Sequence, residues 1–201
     1  MLVPWQPRHF SLPLTLSLFE WSMFAFWWNV AAKSASQAVV SEPLKSRRLH
    51  VVLFNLAFAL VVLPVRQLTP RFLPDVQFAT WLGFGIQSTF FAFATWARRH
   101  LSSHWSSEIT IKVNHELIRS GPYRLIRHPI YAAILGMFVG STIVSGQVSA
   151  LFGLICVGLL YRRKILLEET NLRQAFGSAY DSYKNHTGAL LPKLRVSGQK
   201  F

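Results

Sequence analysis

Carboxylates are scarce in this chain. Eight Asp and Glu face 21 Lys and Arg across 201 residues, leaving a formal net charge of +13. All charged residues together reach only 14%, well below the roughly 25% of soluble domains. A single cysteine, Cys156, excludes an internal disulfide; set inside an apolar run, it reads as a small buried hydrophobe. Gly83 and Gly85 have no third glycine, because position 88 is Ser88, so the dinucleotide-binding fingerprint is missing. There is no P-loop, no CxxC pair, no internal repeat and no low-complexity linker. His100 and His104 are four apart and, with His115, have ligand-like spacing. They lack a convincing carboxylate partner, and no metal is expected.

Apolar length is abundant instead. Hydrophobic residues make up 51% of the chain, with 16 Phe and 7 Trp. A spanning helix needs about 20 apolar residues. Phe10 to Ala32, Leu49 to Val65 and Val76 to Trp96 meet that need; Ile130 to Ser145 and Val148 to Leu160 are shorter. The last run reaches Leu167 if Arg162, Arg163 and Lys164 snorkel to the surface. Ser145-Gly146-Gln147 reads as a tight turn that folds the last two runs into an antiparallel hairpin. The fold class expected is an all-α membrane protein with five transmembrane helices. Residues 1–96 form a three-span N-terminal region, and residues 97–201 a C-terminal region holding the hairpin.

The cations orient this arrangement. Loops 33–48 and 97–129 and the tail after 161 hold 18 of the 21 Lys and Arg; the other side keeps Arg8, Arg66 and Arg71. Such a bias is the positive-inside signal. It makes the chain multi-pass, with the C-terminus and the loop before the fourth span cytoplasmic. It also explains the basic charge without nucleic acid, which is not an expected partner. The first run is longer than a signal-peptide core of about 7–15 residues, only Arg8 precedes it, and Glu20 lies within it, so it is expected to remain as a span. Glu20 itself is a pathway or pairing residue, since an ionisable group inside hydrocarbon needs a reason. Gly136 and Gly140 have the spacing of a close helix–helix approach, within one chain or between two.

The most informative stretch is His115 to Tyr131. Ser120-Gly121-Pro122-Tyr123 reads as a turn. Pro129 suits the first helical position of the fourth span and biases His128 to an extended backbone. The amides and partial positive charge of that helix N-terminus suit a carboxylate-bearing small molecule, and Arg127 adds a guanidinium with bidentate reach. Tyr123 and Tyr131 offer aromatic faces for a ring or a sulfonium cation. Glu168 and Glu169 follow the fifth span, with Lys164 one helical turn earlier. The hairpin returns both of its ends to the same side, so Glu168 and Arg127 can meet.

This ordered set resembles the isoprenylcysteine carboxyl methyltransferase family, and more loosely the phospholipid methyltransferases. The residues that carry the resemblance are Leu101 to Trp105, His115-Glu116-Leu117-Ile118, Gly121, Tyr123, Arg127-His128-Pro129-Ile130-Tyr131, Glu168-Glu169, Leu172, Phe176-Gly177, Tyr180, Tyr183 and Pro192. They span about residues 96 to 193. The resemblance implies an integral membrane enzyme using S-adenosyl-L-methionine in a cytoplasmic pocket formed by the C-terminal half. It implies cofactor contacts at His115, Glu116, Leu117, Ile118, Tyr123, His128, Pro129, Ile130, Tyr131 and Glu168. The family's substrate-side arginine corresponds to Lys164, beside Arg163, and a family glycine to Ala133; both departures bear on the acceptor more than on the cofactor. The catalytic set expected is Arg127 and Lys164 to position an acceptor carboxylate, Glu168 to hold the cofactor's amino group or ribose, and Glu169 to hold Arg127 or cap the site. The acceptor is expected to be a lipophilic or prenylated molecule reaching the pocket from the bilayer, among membrane lipids. An amine acceptor, such as a phospholipid headgroup, would need Glu169 or His128 as proton acceptor. A nicotinamide-dependent membrane reductase and a non-enzymatic scaffold are the remaining alternatives.

Overall fold

A computed structural model describes residues 11–32, 38–40, 43–63, 70–73, 76–101, 111–112 and 117–193. The architecture is helical: α1 (Leu12–Ala32), α2 (Leu44–Val62), α3 (Gln77–Leu101), α4 (Pro129–Ser145), α5 (Val148–Phe176) and α6 (Ser178–His186). A short 3-10 turn at Gly121–Arg124 precedes α4. Two brief strands, β1 (Ala38–Val40) and β2 (Ile111–Lys112), pair antiparallel through Ala38↔Lys112 and Val40↔Ile111.

The five apolar runs correspond to α1–α5. The fifth differs most from expectation, for its helix runs on to Phe176 rather than stopping near the basic cluster at 162–164. No Pro or Gly follows Gly158 until Gly177, whose φ of 52° turns the chain into α6. Among the described residues no helix is long and apolar enough to cross a membrane. The reason differs by helix: α1 carries Glu20 and Asn29, α4 is apolar but has only 17 residues, and α5 carries Arg162, Arg163 and Lys164 along its length.

Helix α4 is apolar on every side, as a helix surrounded by protein should be. It lies between α3 and α5 and also touches α1 and α2. Its fully buried Phe138 receives the rings of Trp21 (5.2 Å), Phe54 (5.6 Å) and Phe58 (6.4 Å), all near edge-on. The α4–α5 hairpin turns at Gly146 in the left-handed region, φ 62°, with its N–H donated to Thr142. Residues 70–72 cover the turn: Phe72 N–H donates to the Gly146 carbonyl and Val148 N–H to that of Pro70.

A polar seam crosses this core. Ser17 and Ser141 hydroxyls both donate to Gln87 Oε1, at 2.6 and 2.7 Å, Gln87 Nε2 donates to the Ser17 carbonyl, and Trp21 Nε1 donates to Ser141 Oγ. Glu20, on the same face of α1, faces Gln87 and Ser88, the polar neighbours that its sequence position left unnamed, while its Oε2 has no hydrogen-bond partner among the described residues. The seam is satisfiable only where backbones come close, and two glycines permit that. A Cβ on Gly140 would lie 2.6 Å from Gln87 N and from the Gly83 carbonyl oxygen. Gly140 is therefore used between α3 and α4 of one chain, and Gly136 likewise seats the Phe90 ring.

Gly140→Ala should force α3 away from α4 and lower the thermal midpoint in detergent, with an overpacking cost of about 1–3 kcal/mol. Gly158→Ala, where a Cβ meets nothing within 4 Å, should leave the midpoint unchanged. Equal midpoints for both variants would contradict the close approach.

Candidate functional site

The site lies where α4 begins. The segment before it, Leu125 to His128, is stitched to the chain leaving α6; Leu125 is helical and His128, at φ −122° and ψ 60°, is not the extended residue expected before Pro129. Arg127 N–H donates to the Gly188 carbonyl (2.9 Å), His128 N–H to Ala189 (3.0 Å), and Gly188 N–H back to Leu125 (3.4 Å). Pro129 opens α4 as expected, and no side chain caps that helix end. The Ile130 and Tyr131 amides are thus among the groups no helical turn can satisfy.

Buried at the centre of this region is the carboxylate of Glu169. Its Oε1 receives Arg127 Nε and Nη2, each at 2.8 Å; its Oε2 receives Lys184 Nζ at 2.7 Å. Arg127 spends its remaining nitrogen, Nη1, on the carbonyls of Thr187 and Lys184. The Arg127 and Glu169 side chains are only 7% and 10% exposed. Burial alone would raise the Glu169 pKa. The neighbouring His128 ring, the Lys184 and Arg127 hydrogen bonds and the Arg127 charge outweigh it and hold the carboxyl well below the usual range. Arg127 therefore has its whole fork committed to protein, and Glu169 has both oxygens committed.

Glu168 is different. Its side chain is 31% exposed, and its Oε2 accepts the Tyr131 hydroxyl at 2.8 Å. His128 lies between the two acids: Nδ1 is 3.6 Å from Glu168 Oε2 and Nε2 is 3.5 Å from Glu169 Oε1. Both distances are longer than a good hydrogen bond, and Nε2 is buried with no hydrogen-bond partner among the described residues. The His128 ring stacks on Tyr131 at 5.5 Å with planes 4° apart, and Tyr131 stacks on Tyr161 at 4.9 Å. Lys164, buried on α5, sets its Nζ 5.7 Å from the Tyr131 ring centroid.

The 3-10 turn closes one flank. Tyr123 is buried, its carbonyl accepts the Tyr183 hydroxyl at 2.6 Å, and its ring stacks at 6.5 Å on His100, whose Nε2 bonds Ser120 Oγ at 2.8 Å. A Cβ on Gly121, φ 56°, would strike the His100 ring at 2.6 Å. Burial raises the Tyr123 hydroxyl pKa, with the Glu168 charge adding to it, and burial pushes Tyr183 up to about 12. Both tyrosines stay neutral donors at any working pH.

Of the residues singled out from the sequence, Tyr123, Arg127, His128, Pro129, Ile130, Tyr131, Lys164, Glu168 and Glu169 come together around the start of α4. Leu117 and Ile118 are half-buried in the loop leading to it. His115 and Glu116, like His104, lie outside the described residues. Sequence reasoning missed Tyr161, Lys184 and Thr187. Tyr161 had a signal: it precedes Lys164 by three and so shares its face of α5. Lys184 and Thr187 had none, because they meet Arg127 across 57 and 60 residues.

Chemically, the arrangement offers a partly open carboxylate for a cation, helix-end amides for an anion, aromatic faces for a ring, and a buried ammonium near the Tyr131 ring. Residues 85–174 match the family model of the isoprenylcysteine carboxyl methyltransferase (ICMT) family. A probable protein-S-isoprenylcysteine O-methyltransferase of Oryza sativa subsp. indica is 36% identical over 77 residues, 37% of this chain and 40% of the relative. Protein-S-isoprenylcysteine O-methyltransferase A of Arabidopsis thaliana is 34% identical over 87 residues, 41% and 44% of the two chains. The cobalt-zinc-cadmium resistance protein CzcN of Cupriavidus metallidurans is 35% identical over 90 residues, 44% and 41%. The chain thus spans less than half the length of the curated relatives it matches. A solved structure of the eukaryotic intramembrane Ras methyltransferase ICMT superposes with a TM-score of 0.54 at 16% identity, over 77% of this chain and 54% of that one; it shares the fold.

Replacing Glu169 should expose the cost of its buried partners. Glu169→Gln removes the charge that Arg127 and Lys184 share, and breaking such a buried pair typically costs about 3–5 kcal/mol. The pH dependence has a definite sign. Unfolded Glu titrates near about 4.3 and folded Glu169 lower, so the unfolded chain takes up the proton first. The stabilisation is complete above about pH 5 and is lost as pH falls toward the folded value. The gap between wild-type and Glu169→Gln melting midpoints should be widest at pH 7 and narrow below about pH 4. A gap that is constant with pH would contradict the ion cluster.

Proposed function

Through residues 85–174 the chain belongs to the isoprenylcysteine carboxyl methyltransferase family, and on that premise we propose that it is a membrane methyltransferase. It uses S-adenosyl-L-methionine to methylate a carboxylate on a lipophilic acceptor. The observation that carries this reading is the contrast between two adjacent acids. Glu169 is consumed by Arg127 and Lys184, while Glu168 stays partly open, bonded by Tyr131 and with His128 Nδ1 3.6 Å from its Oε2.

The residues fit the cofactor on that ground. Glu168 suits its ammonium or ribose hydroxyls. The uncapped amides of Ile130 and Tyr131 suit its carboxylate. The rings of Tyr123 and Tyr131 suit its adenine and sulfonium. Leu117 and Ile118 extend the same wall, with His115 and Glu116 carried over from the family pattern. When bound, the cofactor supplies an electrophilic methyl group on sulfur. The chain's own residues then orient and desolvate the acceptor. A carboxylate is already ionised at neutral pH and needs no base. Lys164 is the cation suited to hold it, being buried at 5.7 Å from the Tyr131 centroid. Arg127 and Glu169 work one layer back, fixing the segment that presents His128.

The setting is the bilayer. Phe19, Phe26, Phe78 and Leu159 are exposed on α1, α3 and α5, as lipid-facing residues would be, and the strong cation bias of the loops favours a five-span topology with the pocket and C-terminus cytoplasmic. Members of a bundle can tolerate Glu20 or Asn29 by pairing inside it. An acceptor dissolved in the membrane then has lateral access to the site.

Calorimetric titration of detergent-purified protein with S-adenosylhomocysteine tests the reading. Wild type should bind at micromolar concentrations. Glu168→Ala should weaken binding by more than tenfold, whereas Lys164→Ala should retain it and slow methyl transfer. Wild type that melts cooperatively yet takes up none of the ligand would sink the proposal.

A further inference from the structure

The ring stack does not end at Tyr161. His50, on α2, packs its ring edge-on to Tyr161 at 5.8 Å and 72°, and lies parallel to Phe54 at 6.5 Å. Four rings thus run in sequence from the carboxylate cluster to α2: His128, Tyr131, Tyr161 and His50. The α2 helix is fastened here, because Arg163 Nη2 donates to Ser46 Oγ at 2.7 Å, one turn before His50. His50 is half-buried, and its ring nitrogens make no hydrogen bond among the described residues. It is also the one histidine on a helix whose remaining length, Val51 to Val62, is otherwise apolar but for Asn55.

Polar groups gather around Tyr131. Its hydroxyl reaches Glu168. Tyr161 stacks against its ring, Lys164 Nζ lies 5.7 Å from the ring centroid, and His50 packs edge-on to Tyr161. Tyr161 and Lys164 are three apart on α5 and so share a face. Lys164 is close enough for its charge to act on His50. A carboxylate has two oxygens and about four lone-pair sites. An ammonium fills one of them as a point donor and leaves the plane of the group free to rotate. A second donor at an angle fixes that plane, and an uncharged N–H does so without further withdrawing the charge that makes the oxygen nucleophilic.

We propose that His50 is an acceptor-binding residue that completes, with Lys164, a two-point grip on the acceptor carboxylate against the Tyr161 ring. The inference rests on the methyltransferase reading and deepens its acceptor side. It also locates part of acceptor selection on α2, outside the 85–174 family match.

The test uses the full chain in detergent. S-adenosylhomocysteine is titrated into wild type, His50→Ala, His50→Gln and His50→Phe. N-acetyl-S-farnesylcysteine is then titrated into each loaded protein, and kcat and KM are measured with it. His50→Ala should bind S-adenosylhomocysteine within twofold of wild type, while the dissociation constant and KM for the farnesylated probe rise about tenfold, as for one lost hydrogen bond to a charged group. His50→Phe keeps the ring contacts with Tyr161 and Phe54, so it should melt like wild type and still show the same loss. His50→Gln restores a donor and should recover most of the affinity. Unchanged probe affinity in both His50→Ala and His50→Phe would overturn the assignment, as would a parallel loss of S-adenosylhomocysteine affinity. Wild type that binds S-adenosylhomocysteine but not the probe would overturn the carboxylate grip alone. Wild type that binds neither would overturn the methyltransferase reading and this inference with it.

Discussion

The buried carboxylate of Glu169 is the constraint on which the site depends. Taking a carboxylate, a guanidinium and part of an ammonium out of water is costly. The cost is met because all the strong donors and acceptors are matched: Glu169 uses both oxygens, and Arg127 uses Nε, Nη1 and Nη2. Three pieces of chain that share no regular ladder are held by that one group. They are the segment before α4, the latter part of α5, and α6 with its exit. Adjacent residues on a helix point about 100° apart. Anchoring Glu169 inward therefore aims Glu168 toward Tyr131 and His128, so one acid of the pair gives the other its direction.

The rest of the fold supplies a rigid base for that arrangement. Helix α4 starts at the site and runs through the middle of the bundle, with Phe138 met by rings from α1 and α2. The seam of Ser17, Gln87 and Ser141 adds direction to packing that is otherwise apolar, since hydrogen bonds at 2.6–2.9 Å fix the register of α1 against α3 and α4. A displacement of α4 along its axis would break the seam and shift Tyr131 together. Core register and site geometry are therefore one mechanical unit.

Much of this was legible in the sequence, and the gaps have physical causes. The apolar runs located α1 to α5, and Gly146 and Pro129 marked the turn and the helix start where Gly and Pro have local reasons to be. The motif residues Arg127, His128, Tyr131, Glu168 and Glu169 do converge. Their division of labour was not readable, because it depends on Lys184 and Thr187, whose contacts with Arg127 close only in three dimensions. The extension of α5 past Lys164 was obscured by cations that interrupt hydropathy but not helix formation, since Arg and Lys are good helix formers. The same cations, with Glu20 in α1, separate apolar composition from an uninterrupted membrane-length helix. The polar neighbours of Glu20 were hidden because Gln87 and Ser88 sit in an unremarkable run of α3. His50 was hidden because a single histidine carries no spacing to read.

The stitching of Leu125–His128 to Gly188 and Ala189 bears on how the molecule comes into being. A ribosome delivers the chain from its N-terminus at about 5–20 residues per second, and Thr187 follows Arg127 by 60 residues. During that interval α4 and α5 are already made, while Arg127 and Glu169 wait for Lys184 and the carbonyls beyond it. The bundle must hold its shape with an unfinished site at its rim. The site would then be completed only after the bundle around it, by a short polar segment closing over helices that already stand.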